Sequence, residues 1–213
     1  MTAGLIGIAL VSLGMVLTPG PNMIYLVSRS ITQGRRAGLV SLTGVALGFA
    51  IYLTATCLGL TAIFAYVPAA YTALKLAGAA YLLWLAWTAV RPGGTSAFET
   101  RELPAEPPRR LFAMGLFTCL LNPKIAILYL SLLPQFIDPA LGHVLLQSLA
   151  LGSVQIVIGT VVNGLIAVSA GALAAFLARR PLWLRVQRYF MGTVLAGIAV
   201  HLATDRSRAL TTA

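Results

Sequence analysis

The stretch Thr18-Pro19-Gly20-Pro21-Asn22 interrupts an apolar segment running from Leu5 to Ser28. A second interruption, Asn122-Pro123-Lys124, falls at a matching place in the apolar segment from Leu111 to Phe136. Proline removes a backbone donor and its ring clashes with the preceding turn, so each break frees polar backbone groups. In hydrocarbon such groups survive only where they line a cavity or are buried in protein. Paired broken helices in the two halves of a chain point to a substrate site between them.

Composition supports a membrane setting. Of 213 residues, 59% are hydrophobic and 9% charged, with a mean hydropathy of +0.90. A soluble domain of this size has too little interior for so much apolar surface. With roughly 20 apolar residues needed per crossing, six spans are predicted, at residues 4–28, 39–67, 69–90, 111–136, 143–177 and 187–203. The fifth is overlong, so it is tilted, extended beyond the bilayer or interrupted near Asn163-Gly164. Met1-Thr2-Ala3-Gly4 has no basic leader and no small-residue cleavage site follows, so the first segment reads as a retained span.

The net charge of +10 is distributed by loop. Arg29, Arg35 and Arg36 fall between spans one and two; Arg91, Arg101, Arg109 and Arg110 between three and four; Arg179, Arg180, Arg185 and Arg188 between five and six. The alternate loops are nearly empty of Lys and Arg, which is the positive-inside pattern and puts both termini outside. A nucleic-acid surface needs one contiguous basic face, so nucleic acid is excluded as a partner. No cofactor is implied, and no metal site. A homo-oligomer is compatible with the chain.

Residues 91–110, rich in proline and glutamate, read as a cytoplasmic loop that divides three spans from three. An odd number of spans in each half inserts the halves upside down relative to each other. The predicted fold is therefore an all-α polytopic membrane protein with two inverted three-helix repeats, 1–90 and 111–203, and a short tail, 204–213. Setting Pro21 on Pro123 aligns Leu26 with Leu128 and Asn22 with Lys124. Gly44 and Gly48 in span two, and Gly152, Gly159, Gly164 and Gly171 in span five, read as close-packing faces. Tyr66, Tyr71, Trp84, Trp87, Trp183 and Tyr189 fall near span ends, where such rings anchor at the interface.

If spans one and four are antiparallel, the half-helices after Pro21 and Pro123 both aim positive N-terminal ends at one central zone. Pro19, Gly20, Pro21, Asn22, Asn122, Pro123 and Lys124 thus form the candidate site for an anionic group such as a carboxylate. A pair of ordinary proline kinks is the structural alternative. Lys124 sits mid-span, where a charge costs about 2.5–3.5 kcal/mol, and the six spans contain no Asp or Glu to pair with it. We assign it to the substrate carboxylate. Lys75, near the end of span three, either joins the site or snorkels. Without a buried acid for a second positive charge, the cargo is expected to be neutral overall, with Gln135, Gln155 and Asn163 as further hydrogen-bonding groups. A carboxylate beside Lys124 favours the protonated amine, which gives symport; antiport needs a group where proton and substrate compete. Asp138 lies at a span end, where it serves either coupling or the turn before Pro139. Cys57 and Cys119 are inert apolar residues or, in a redox alternative, a thiol pair.

At these residues the chain resembles the lysine-exporter superfamily, in particular its homoserine/threonine-resistance (RhtB) branch. The resemblance runs from Leu5 to Leu202. It is carried by Thr18-Pro19-Gly20-Pro21-Asn22, Gly34-Arg35-Arg36-Ala37-Gly38, Lys75 with Gly78, Leu121-Asn122-Pro123-Lys124 and Pro134-Gln135-Phe136-Ile137-Asp138-Pro139. It implies a small bacterial inner-membrane translocator that exports amino acids or related metabolites, driven by the proton gradient, and not an enzyme. The run Ile125-Ala126-Ile127-Leu128-Tyr129 departs from the small and phenylalanine residues common in that family. A passive solute channel is the remaining alternative.

Overall fold

The computed structural model describes residues 2–66, 68–91, 104–178 and 181–204, and every regular element among them is helical. α1 (Thr2–Leu17) and α2 (Pro21–Gln33) meet at the first proline break, and α5 (Pro108–Leu120) and α6 (Pro123–Ile127) at the second. Both breaks bend the chain by 52°. α3 (Arg35–Tyr66) and α4 (Pro68–Val90) lie between them in sequence; α7 (Val144–Ala178) and α8 (Pro181–Thr204) follow.

α3 and α7 each contain an apolar stretch long enough to cross a bilayer, Arg35–Gly59 and Val144–Ala172, and the two bent pairs qualify if each is one span. In α4 and α8 the apolar stretches are shorter, Leu76–Thr88 and Gly192–Thr204. The described residues thus contain two to four candidate spans by length and composition, where six were expected. α7 runs unbroken through Asn163-Gly164 for 35 residues. At 1.5 Å per residue this is about 52 Å, well beyond the ~30 Å hydrocarbon core, so the long fifth segment extends rather than breaks.

The second break departs from the simple half-helix expected of it. α6 has five residues and passes into a π-helical turn, Leu128–Leu132, then a 3-10 turn, Leu133–Phe136. Pro134 explains the change. An α-helical path would drive its ring into the Leu130 carbonyl. Widening the preceding turn, so that the Leu133 N–H donates to the Leu128 carbonyl, relieves that clash.

Glycines bring the long helices to near-backbone contact. A Cβ on Gly44 would collide with the Phe112 carbonyl, and one on Gly115 with the Ser41 carbonyl, so α3 and α5 touch main chain to main chain. Leu53, Phe49 and Leu42 of α3 fill the spaces left by Gly152, Gly159 and Gly164 of α7. The most extensive packing, α3 on α5 and α4 on α8, joins the first half of the chain to the second. Two apolar clusters result, and the segment after Pro123 is wedged between them. Ile125, Tyr129 and Leu133 face the cluster built on α3 and α7; Ile127, Leu128 and Leu132 face the one built on α4 and α8.

The outer surface is apolar, with Leu10, Val157, Leu165, Trp84, Trp87 and Tyr189 all more than half exposed. This surface suits lipid rather than water. The side chains of Tyr66, Tyr71 and Trp183 lie outside the described residues, as do Arg101, Arg179 and Arg180, most of the 91–110 loop and the 205–213 tail. Arg29 corrects the loop reading. It belongs to α2 and is 3% exposed, donating to the Pro104 carbonyl at 2.9 Å and stacking over the Tyr25 ring.

Candidate functional site

The two breaks meet at one cavity. It is lined by Ser12, Met15, Gly20, Asn22, Phe49, Asn122, Lys124, Gln155 and Asn163, among others. Its volume is about 20 Å³, room for a water molecule and little more. Of the residues expected at the breaks, Gly20, Asn22, Asn122 and Lys124 line this space. Pro19, Pro21 and Pro123 do not, and instead shape the bend. Gln155 and Asn163 join from α7, because their spacing of eight residues puts both on the face turned to the breaks.

The half-helix starts differ from each other. α2 opens on Gly20, which is extended and has no side chain to cap the first turn, with Pro21 at its first position. The Asn22 and Met23 amides therefore begin the helix without a side-chain cap, next to the cavity. α6 is closed: Asn122 Oδ1 accepts the Lys124 N–H at 3.1 Å, and the Asn122 carbonyl accepts those of Ile125 and Ala126. Only the first of the two expected amide clusters is free of such a cap.

Lys124 is 5% exposed and has partners that the sequence did not reveal. Its ammonium donates to the Met15 carbonyl at 2.8 Å, the Thr18 carbonyl at 2.7 Å and Thr18 Oγ1 at 3.2 Å. These groups form the C-terminal end of α1, where the helix dipole concentrates negative charge. The sequence reading of an unpartnered ammonium is thereby corrected. A bent chain supplied main-chain acceptors where no carboxylate existed. Gly20 makes this approach feasible, since a Cβ there would lie 2.9 Å from Lys124 Nζ.

Around the cavity, several buried polar atoms have no hydrogen-bond partner: Ser12 Oγ, Asn22 Nδ2 and Oδ1, and Asn122 Nδ2. Asn22 lies beside the Cys119 thiol, a weak donor that does not satisfy an amide. Buried polar groups left unpaired cost about 1–3 kcal/mol each, so their clustering at one cavity sets this place apart from the rest of the apolar interior. The other polar groups here are engaged. The Tyr129 hydroxyl donates to Gln155 Oε1, and Asn163 Nδ2 donates to the Gly159 carbonyl at 2.7 Å. Among the described residues no Asp or Glu lines the cavity.

The remaining candidates lie elsewhere. Asp138 caps a 3-10 turn, Pro139–Leu141, by accepting the Ala140 N–H at 3.1 Å. Gln147, which the sequence did not single out, clamps that loop by bonding to both Asp138 backbone groups and to the Gly142 carbonyl. Gln135 donates to the Ser131 carbonyl on its own segment. Lys75 belongs to α4, and its side chain lies outside the described residues. Cys57 and Cys119 are free and buried. Cys119 packs on Gly48 of α3, and Cys57 follows nine residues later on that helix, about 13 Å along its axis. Ser12, Met15, Thr18, Met23 and Phe49 are among the site residues missed by sequence reasoning. A serine or phenylalanine in an apolar span carries no signal of its own, whereas Thr18 adjoined the break and was legible as its edge.

The family described as LysE type translocator matches residues 13–206. A homoserine/homoserine lactone efflux protein of Salmonella typhimurium is 33% identical over 191 residues, covering 89% of this chain and 91% of that protein. A leucine efflux protein of Salmonella choleraesuis is 25% identical over 197 residues, 91% of each chain. An uncharacterized membrane protein of Pseudomonas aeruginosa is 28% identical over 197 residues, 89% of this chain and 90% of that one. No solved structure matches.

Proposed function

Because the chain belongs to the LysE type translocator family, we propose that it is a secondary transporter exporting small neutral amino acids or close relatives across a bacterial inner membrane. The observation that carries this reading is the ring of unpaired polar atoms on Ser12, Asn22 and Asn122, set at the meeting point of two 52° breaks. The outward direction is taken from the relatives, which are named as efflux proteins.

In this reading the substrate carboxylate lies against the uncapped Asn22 and Met23 amides with the Lys124 ammonium beside it. The asparagine amides and the Ser12 hydroxyl bind its remaining polar groups. Among the described residues no acid lines the cavity, which favours cargo without a second positive charge. At about 20 Å³ the cavity is smaller than an amino acid, so cargo binding requires the helices around it to move apart. Six spans in two inverted halves, divided at the 91–110 loop and with both termini outside, complete the proposal. Arg35, Arg36, Arg109 and Arg110, at the starts of α3 and α5, then mark the cytoplasmic side.

Export is driven by the proton gradient. A carboxylate at Lys124 favours its protonated form, so a proton there would leave with the cargo, against an inward gradient, and Lys124 is not itself the coupling group. Exchange of a proton against cargo requires a group outside the cavity lining.

The test uses purified protein in proteoliposomes loaded with labelled L-leucine or L-homoserine. Saturable efflux that responds to an imposed pH gradient is the expected result, and the sign of that response separates symport from antiport. Flux that rises linearly with concentration would instead establish a channel.

A further inference from the structure

A lysine ammonium has three N–H donors, and the end of α1 occupies all three of those of Lys124. This is a built cation site. Thr18 is 1% exposed, and its hydroxyl donates to the Met15 carbonyl at 2.6 Å, which fixes its oxygen as an acceptor toward Nζ. A carboxylate placed at the Asn22 and Met23 amides needs the same ammonium, because α2 starts four residues after α1 ends. With no fourth N–H available, binding must withdraw at least one bond from α1. Binding also requires a cavity wider than about 20 Å³. One movement meets both needs: the end of α1 leaves Lys124.

We infer that Thr18 and the Met15 carbonyl form an internal competitor for the substrate carboxylate, holding Lys124 as a latch between α1 and α6 until cargo takes the ammonium away. This rests on the carrier reading above and makes Thr18 a positioning residue. Its signature is thermodynamic. Apparent affinity is the intrinsic affinity reduced by the unlatched fraction, so weakening the latch tightens binding. A hydroxyl that merely supported the site would do the opposite.

The test compares Thr18→Val, which keeps shape and carbonyl but removes the hydroxyl, with Thr18→Ser, which keeps the hydroxyl. Both are made in nanodisc-embedded protein in two backgrounds: the otherwise unaltered chain, used for the Kd, and a Ser12→Cys, Cys57→Ala, Cys119→Ala chain, used only for labelling. Two readouts are taken: the labelling rate of the introduced thiol with no amino acid present, and the Kd of L-leucine and L-homoserine. We expect Thr18→Val to label several-fold faster and to bind roughly three- to ten-fold tighter, with Thr18→Ser close to the parent in both. Labelling at the parent rate, or weaker binding by Thr18→Val, overturns the latch. Faster labelling in protein that binds neither amino acid leaves the latch standing and removes the amino-acid reading instead.

Discussion

The Tyr52 hydroxyl donates to the Leu120 carbonyl at 2.7 Å, closing the last turn of α5 just as Lys124 closes the last turn of α1. Each break leaves carbonyls that lose their partners one turn later. In each case a side chain from another element supplies the missing donor. Tyr52 also stacks on Tyr129, with ring centroids 5.7 Å apart, and Tyr129 in turn bonds Gln155 at the cavity. Tyr52→Phe keeps the stack and leaves the carbonyl unpaired. It should lower stability by about 1–3 kcal/mol, read as a drop in melting temperature in detergent. An unchanged melting temperature would mean the bond contributes nothing.

Asn22→Leu removes two unpaired buried atoms while roughly keeping volume. Its expected effect splits stability from function: melting temperature equal to or above the parent, and efflux at least about ten-fold slower. That split follows if the unpaired amide is retained for cargo at a standing cost of about 1–3 kcal/mol. A destabilised variant with normal efflux would assign Asn22 to the scaffold.

Lys124→Met should abolish export of L-homoserine while the protein still inserts and folds, with some loss of stability because the Met15 and Thr18 carbonyls lose their donor. Homoserine lactone, which has no free carboxylate, gives the sharper comparison. The parent should bind homoserine more tightly than the lactone, and the Met variant should bind both alike. Equal preference in the parent removes Lys124 from carboxylate recognition.

Gly44→Ala would force a methyl into the Phe112 carbonyl of α5, a main-chain obstacle that no rotamer change can clear. A loss of roughly 1–3 kcal/mol or more is expected. Gly197→Ala in α8 meets nothing within 4 Å and should be neutral or stabilising by up to about 1 kcal/mol. Melting temperatures of the two variants, measured side by side, test whether α3 and α5 approach as closely as described.

What could be read in the sequence was local or additive. Apolar composition implied a membrane, because burial scales with area whatever the topology. The bends at Pro19–Pro21 and Pro123 follow from a missing N–H and a ring clash, which need no neighbour to act. Asn22, Asn122 and Lys124 stood out because polar groups inside apolar segments must be accounted for. The partners of these groups were decided only in three dimensions. Lys124 finds carbonyls 106 and 109 residues away, and Tyr52 reaches across to the Leu120 carbonyl of α5. Such pairings depend on which helices pack together and at what depth. That packing is set by complementary surfaces spread along the whole chain, such as Gly44 against Phe112, and no single stretch encodes it.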